Sequence, residues 1–111
     1  MVDSWHWHRQ EGGPEANAEV LAGIPGEAIT VFQLCDANPD PQEDPMAECM
    51  SSRPLPGQGV VDHEGLFSLF REIGADPVVV PEVFNTELVE TGMKSMAAEI
   101  AAASKAVLAA W

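Results

Sequence analysis

Basic residues are scarce in this 111-residue chain: 5 lysines and arginines stand against 18 aspartates and glutamates, for a formal net charge of −13. Binding to a phosphate backbone or an anionic membrane surface needs a cationic stripe that displaces counterions, so nucleic acid and membrane are set aside as partners. No apolar run approaches the ~20 residues that a membrane helix requires. No basic start followed by an apolar segment marks a secretory signal. Only two cysteines occur, Cys35 and Cys49, with thirteen residues between them. No second CxxC or HxxxH pair completes a zinc set, so they read as ordinary thiols of a reduced, cytoplasmic protein. There is no internal repeat, and GQGVVD lacks the third glycine and the directly preceding strand of a dinucleotide fingerprint.

What is present is a hydrophobic content of 46% in 11.9 kDa, enough for one modest domain or a piece of one. AITVFQL at 28–34 and VVVPEVF at 78–84 are nearly continuous apolar runs with β-branched members, the pattern of strands buried on both faces. Between them Asp62 suits an N-cap, Leu66, Leu69, Phe70 and Ile73 recur at helical spacing, and Gly74 is a stop signal. Met93, Met96, Ile100, Val107 and Trp111 form one apolar stripe along an alanine-rich stretch, so the chain is expected to end on a helix. Pro14 to Gly23 reads as a further helix, its alternative being an irregular connection. Residues 36–57 hold most of the prolines and are expected to form a long loop too broken for a stable helix. The order of elements is the β/α alternation of a parallel sheet or barrel. Its first strand is odd: if Asp3 ends it, only Met1 and Val2 precede, against the usual ~5–6 residues.

Three polar residues occupy comparable places at strand ends: Asp3, Gln33 and Glu82. In barrels and open α/β sheets the C-terminal strand ends carry the active site. Two carboxylates and an amide oxygen are hard donors that suit Mg²⁺, Mn²⁺ or Co²⁺. The alternative is that such residues only bond to nearby backbone. His6 or His8 could face the same pocket, and the sequence alone does not choose between them. Arg53 precedes PLPGQG, a rigid turn that could aim its guanidinium at a substrate oxygen, or leave it solvated on a loop.

DSWHWHR at 3–9, VFQLCDA at 31–37, RPLPGQGVVD at 53–62 and VPEVFN at 80–85, in this order and at these separations, resemble the C-terminal part of the sugar phosphate isomerase/epimerase family, the xylose isomerase-like TIM barrels. The resemblance covers nearly the whole chain. It implies an α/β fold, a partial TIM (β/α)8 barrel of roughly the last three units, over residues 1–111. It implies a divalent metal (Mn²⁺, Mg²⁺ or Co²⁺) held by Asp3, Gln33 and Glu82, with His6 and Arg53 binding substrate and Glu82 and His6 catalytic. Gln33 is similar to the glutamine of hydroxypyruvate isomerase-like and 3-dehydroshikimate dehydratase-like members. The family's first metal glutamate has no counterpart here.

The activity so implied is isomerisation or epimerisation of a small sugar, sugar phosphate or hydroxy-carbonyl compound through an enediolate, with little turnover expected from this chain alone. The alternatives are a 3-dehydroshikimate dehydratase-like lyase, and a noncatalytic fragment or one half of a split barrel. A three-unit piece would have open sheet edges and exposed apolar surface, so a homo-oligomer, a partly molten state or a complementing N-terminal half-barrel is expected. Pro81, directly before Glu82, would remove one ladder hydrogen bond from a central strand.

Overall fold

The computed structural model describes residues 1–111. Its single sheet has three parallel strands in sequence order: β1 at Val2–Asp3, β2 at Val31–Leu34 and β3 at Val78–Pro81. The register sets Asp3 beside Gln33 and Gln33 beside Val80. Side chains alternate along a strand, so Asp3, Gln33 and Val80 share one face, and Phe32, Leu34 and Val79 share the other.

Two helices follow each strand: α1 at Ser4–Arg9 and α2 at Gly13–Ala22, α3 at Pro45–Ser51 and α4 at His63–Ile73, α5 at Thr86–Glu90 and α6 at Met93–Leu108. The best-defined is α4. The Asp62 carboxylate caps it by accepting from Gly65 N–H, and Gly74 ends it in the left-handed region at φ 70°. Its Leu66, Phe67 and Phe70 are fully buried against Phe32 and Leu34 in one core. The Phe32 ring meets those of Phe67 and Phe70 edge-on, with centroids 6.1 and 5.3 Å apart. Burial of each such side chain stabilises the fold by about 1.5–3 kcal/mol.

All of this core lies on one side of the sheet. On the other side Met1, Val78 and Val80 are 72%, 68% and 44% exposed. A doubly wound sheet carries helices on both faces, whereas sequentially ordered parallel strands with helices on one face form the wall of a barrel. The architecture is therefore an open arc of a (β/α)8 barrel, bare on its inner face. Expected burial of both strands on two faces is corrected accordingly, since no opposite wall covers Val78 and Val80.

The strands are also shorter than expected. Residues 26–28 form a 3-10 turn ahead of β2, and β3 stops at Pro81. Pro81 costs this sheet nothing on the β2 side. Alternate N–H groups of a strand face alternate neighbours, and it is Glu82 N–H that bonds to Leu34 O, at 3.0 Å. The missing donor thus falls on the open edge.

The loop 36–57 does contain a helix, contrary to expectation. Asp44 caps α3 by accepting from Met46 and Ala47 N–H, and Pro45 stands in its first turn, where no intrahelical donor is needed. The Pro14–Gly23 helix is present as α2, packed on α1 and α4. The final helix stops at Leu108, so Trp111 lies beyond it rather than on its stripe. There it packs on Phe67 and Phe70, at 4.8 and 5.6 Å between centroids. No helix is long and apolar enough to cross a membrane.

Candidate active site

The inner-face ends of the three strands hold Asp3, Gln33 and Glu82. Asp3 is buried and does two local jobs: one carboxylate oxygen caps α1 by accepting from His6 N–H at 2.9 Å, and the other accepts from Arg53 Nη1 at 2.9 Å. Gln33 Nε2 donates to Glu82 Oε1 at 2.5 Å, which leaves the Gln33 carbonyl oxygen without a partner among these residues. Glu82 Oε2 lies 3.4 Å from Arg53 Nη1, so one guanidinium nitrogen bridges both carboxylates.

Arg53 is 1% exposed. Its Nε donates to Cys49 O at 2.8 Å, and its Nη2 and Nη1 to the sulfurs of Cys49 and Cys35 at 2.8 and 3.4 Å. The guanidinium carbon sits 5.3 Å from the ring centroids of both Trp5 and Phe84, within cation–π range. Burial works against its charge, but these acceptors and the Asp3 carboxylate outweigh it, and the ion is held more firmly than an ordinary arginine. Burial also raises the Glu82 carboxyl above its ordinary range, with Asp3 adding to the rise and Arg53 and His6 opposing it.

His6 and His8 separate cleanly. Both lie on α1, which Asp3 caps. Two positions on a helix turn by ~200°, so the rings face opposite ways. His6 is exposed beside the carboxylates, edge-on to Trp5 at 4.9 Å, with Nε2 3.9 Å from the Cys49 sulfur. His8 turns inward, where burial and then Arg9 lower its pKa against the opposing pull of Asp36 and Glu48.

No three His, Cys, Asp or Glu side chains converge closely enough to hold a metal by themselves. A donor set here depends on the amide oxygen of Gln33 as third member. Three oxygens are fewer than the four to six or more that divalent ions take, so these residues fit one side of a coordination sphere.

A family model described as xylose isomerase-like TIM barrel matches residues 1–109. The chain belongs to this family. Among solved structures it is similar to the IolI protein, whose crystal structure contains a bound zinc atom, with a TM-score of 0.77 and 24% sequence identity over 96% of this chain and 36% of that one. It therefore spans about a third of the length of that neighbour, and the likeness carries the fold. No curated protein gives a significant match.

Within the xylose isomerase-like frame, Asp3, Gln33, Glu82 and His6 meet at the barrel mouth, and Arg53 lies behind them. Two buried acids escaped the sequence reading. Asp36 accepts from Ala37 N–H at 2.9 Å, Val61 N–H at 2.9 Å and Gly57 N–H at 2.8 Å, and so folds the PGQG turn against the end of β2. Glu48 pairs with Arg9 Nη2 at 2.7 Å and accepts from Trp5 Nε1 at 3.4 Å, fixing α1 from α3. The signal for Asp36 was its place directly after VFQLC. Glu48 sat in a segment read as loop and offered none. The largest cleft, about 640 Å³ between α3, α5 and α6, contains none of the five candidate residues.

Proposed function

We propose that this chain carries part of the site of a divalent-metal-dependent isomerase or epimerase acting on a small sugar or related hydroxy-carbonyl compound. The observation that supports it is the meeting of Asp3, Gln33 and Glu82 on the inner face at three successive strand ends, with Arg53 bridging the two carboxylates. In this reading Asp3, Gln33 and Glu82 hold the ion through oxygen. The zinc of the IolI structure is one candidate, and Mn²⁺, Mg²⁺ and Co²⁺ accept the same donors.

When bound, such an ion would hold adjacent substrate oxygens and offset the negative charge that grows as a neighbouring C–H bond breaks. The chain's own residues would do the rest. Glu82 takes or returns the proton at the substrate carbon, as a carboxylate within reach of that carbon can. His6, exposed on α1, binds a substrate oxygen. Arg53 spends its donors on Asp3, Glu82 and Cys49, so it orients the two carboxylates from behind, and a substrate contact would require it to move.

Thermal unfolding with and without Mn²⁺ tests the reading, because a ligand that binds only the folded form raises its melting temperature. The expected result is an upward shift for the parent chain that disappears in Glu82→Gln. A parent chain indifferent to Mn²⁺ and Zn²⁺ overturns it.

A further inference from the structure

We propose that the substrate of this site is an acid: a small hydroxy-carbonyl compound whose far end is a carboxylate, received by Arg9 and Gln10 in a cleft that runs outward from His6. The inference rests on the proposed reading of Asp3, Gln33, Glu82 and His6 for the reacting end, and on the cleft itself for the acid. The cleft holds about 320 Å³ between α1 and α3, with His6, Arg9 and Gln10 on one side and Pro41, Gln42 and Pro45 on the other. Both walls belong to segments that follow β1 and β2, and neither includes the free edge of β1. Residues three apart on a helix share a face, and three residues rise about 4.5 Å, so Arg9 stands one turn beyond His6. Gln10 ends that helix beside it.

The hydrogen bonds of Arg9 decide what the cleft takes. Its Nε and Nη2 both donate to Glu48 Oε1, at 3.2 and 2.7 Å, and Nη2 also donates to Asn38 O. Its Nη1 has no partner in the protein and is open to solvent. The Arg9 side chain is only 15% exposed, and it lines this cleft. Glu48, by contrast, is sealed: Oε1 is taken by Arg9 and Trp5, and Oε2 accepts from Gln42 N–H at 3.2 Å. The pair therefore hides its negative end and turns its positive end to the cleft. Gln10 is exposed, and its side-chain amide, with two N–H donors, has no protein partner. A guanidinium and an amide with unspent N–H groups match an anionic acceptor. A carboxylate brings two oxygens and one charge, which these two groups meet. A phosphate brings three oxygens and about −1.5 to −2 of charge, but Glu48 already offsets the one cation here, in a chain of net charge −13.

Glycerate, with one carboxylate and two hydroxyls, is the probe, and glycerol and glycerol phosphate are its uncharged and phosphorylated counterparts. Each is titrated into the isotope-labelled chain in EDTA, so that binding draws on no metal, while NMR follows the side-chain N–H signals of Arg9 and Gln10. Glycerate should shift both signals to saturation, about tenfold more tightly than either counterpart. Gln10→Glu, at an exposed side chain without a protein partner, should weaken glycerate about fivefold or more and leave the melting temperature as in the parent. Glu48→Gln should act in the opposite sense and tighten glycerate about threefold or more, because it removes the countercharge behind Arg9. A role confined to bracing α1 produces no such gain. Where Glu48→Gln fails to fold, Gln10→Glu decides alone. Glycerate that shifts neither signal, or a counterpart that binds as tightly, overturns the proposal, and so does Gln10→Glu binding glycerate as the parent does. The two readings fail separately. A chain that binds glycerate but melts indifferently to Mn²⁺ and Zn²⁺ loses the metal and keeps the acid subsite, whereas a metal shift without glycerate binding does the reverse.

Discussion

Glu82 and Glu48 carry opposite pH signatures, and the cause is what each carboxylate faces. Burial, then Asp3, raises the Glu82 carboxyl, so the folded chain holds that proton more tightly than the unfolded one, where glutamate titrates at ~4.3. The stability it contributes is complete below the unfolded value and is lost as pH rises through the folded value. Glu82→Gln, neutral throughout, should therefore melt higher than the parent in metal-free buffer near neutral pH, with the gap closing in acid. A lower melting temperature would mean that the 3.4 Å contact with Arg53 outweighs burial. For Glu48, burial also pushes upward, but the bond and charge of Arg9, the Gln42 N–H and the Trp5 indole overcome it, and the carboxyl falls below its ordinary range. Its stabilisation is present above the unfolded value and is lost as pH falls through the folded one. Glu48→Gln should melt lower than the parent near neutral pH and show a shallower loss of melting temperature in acid. At this scale Asp3, Gln33 and Glu82 were legible because a strand end fixes where a side chain goes. The burial of Arg53 was not, because its cage comes from Trp5, Cys49 and Phe84, three separate segments that only the fold brings together.

Among the elements, α4 was readable to the residue because its cap, apolar spacing and stop are all local. The helix α3 was hidden by its own start signal: Pro45 looks like a breaker, yet a first-turn proline after a capping aspartate begins a helix. The turn after α3 shows the same dependence on distant partners. Val60 N–H donates to Ala37 O at 3.0 Å, and Asp36 gathers the Gly57 and Val61 N–H groups. That leaves Gly59 pressed against the Ala37 carbonyl and the Asp36 carboxylate, with no room for a Cβ atom. Gly59→Ala should lower stability by about 1–3 kcal/mol, the usual cost of overpacking, as read by urea unfolding. An unchanged midpoint would show that the turn moves away without loss and does not brace the end of β2.

The whole molecule is a two-faced sheet, and the faces should respond to mutation in opposite ways. On the helix side Phe32 is fully enclosed by Phe67, Phe70 and Trp111, so Phe32→Ala removes a large buried ring and should cost about 3–5 kcal/mol. On the inner side Val78 and Val80 are open to solvent. Threonine keeps their β-branched shape, so the double variant Val78→Thr, Val80→Thr should stay within about 0.5 kcal/mol of the parent, as other exposed substitutions do. The contrast separates the bare arc from its rivals, because a chain that folded back on itself or paired its inner faces would treat these valines as core. Urea unfolding of the two variants at several protein concentrations measures it. A threonine pair that costs as much as a buried valine, or a midpoint that rises with concentration in the parent but not in the variant, would mean that the inner face is already covered by this chain itself.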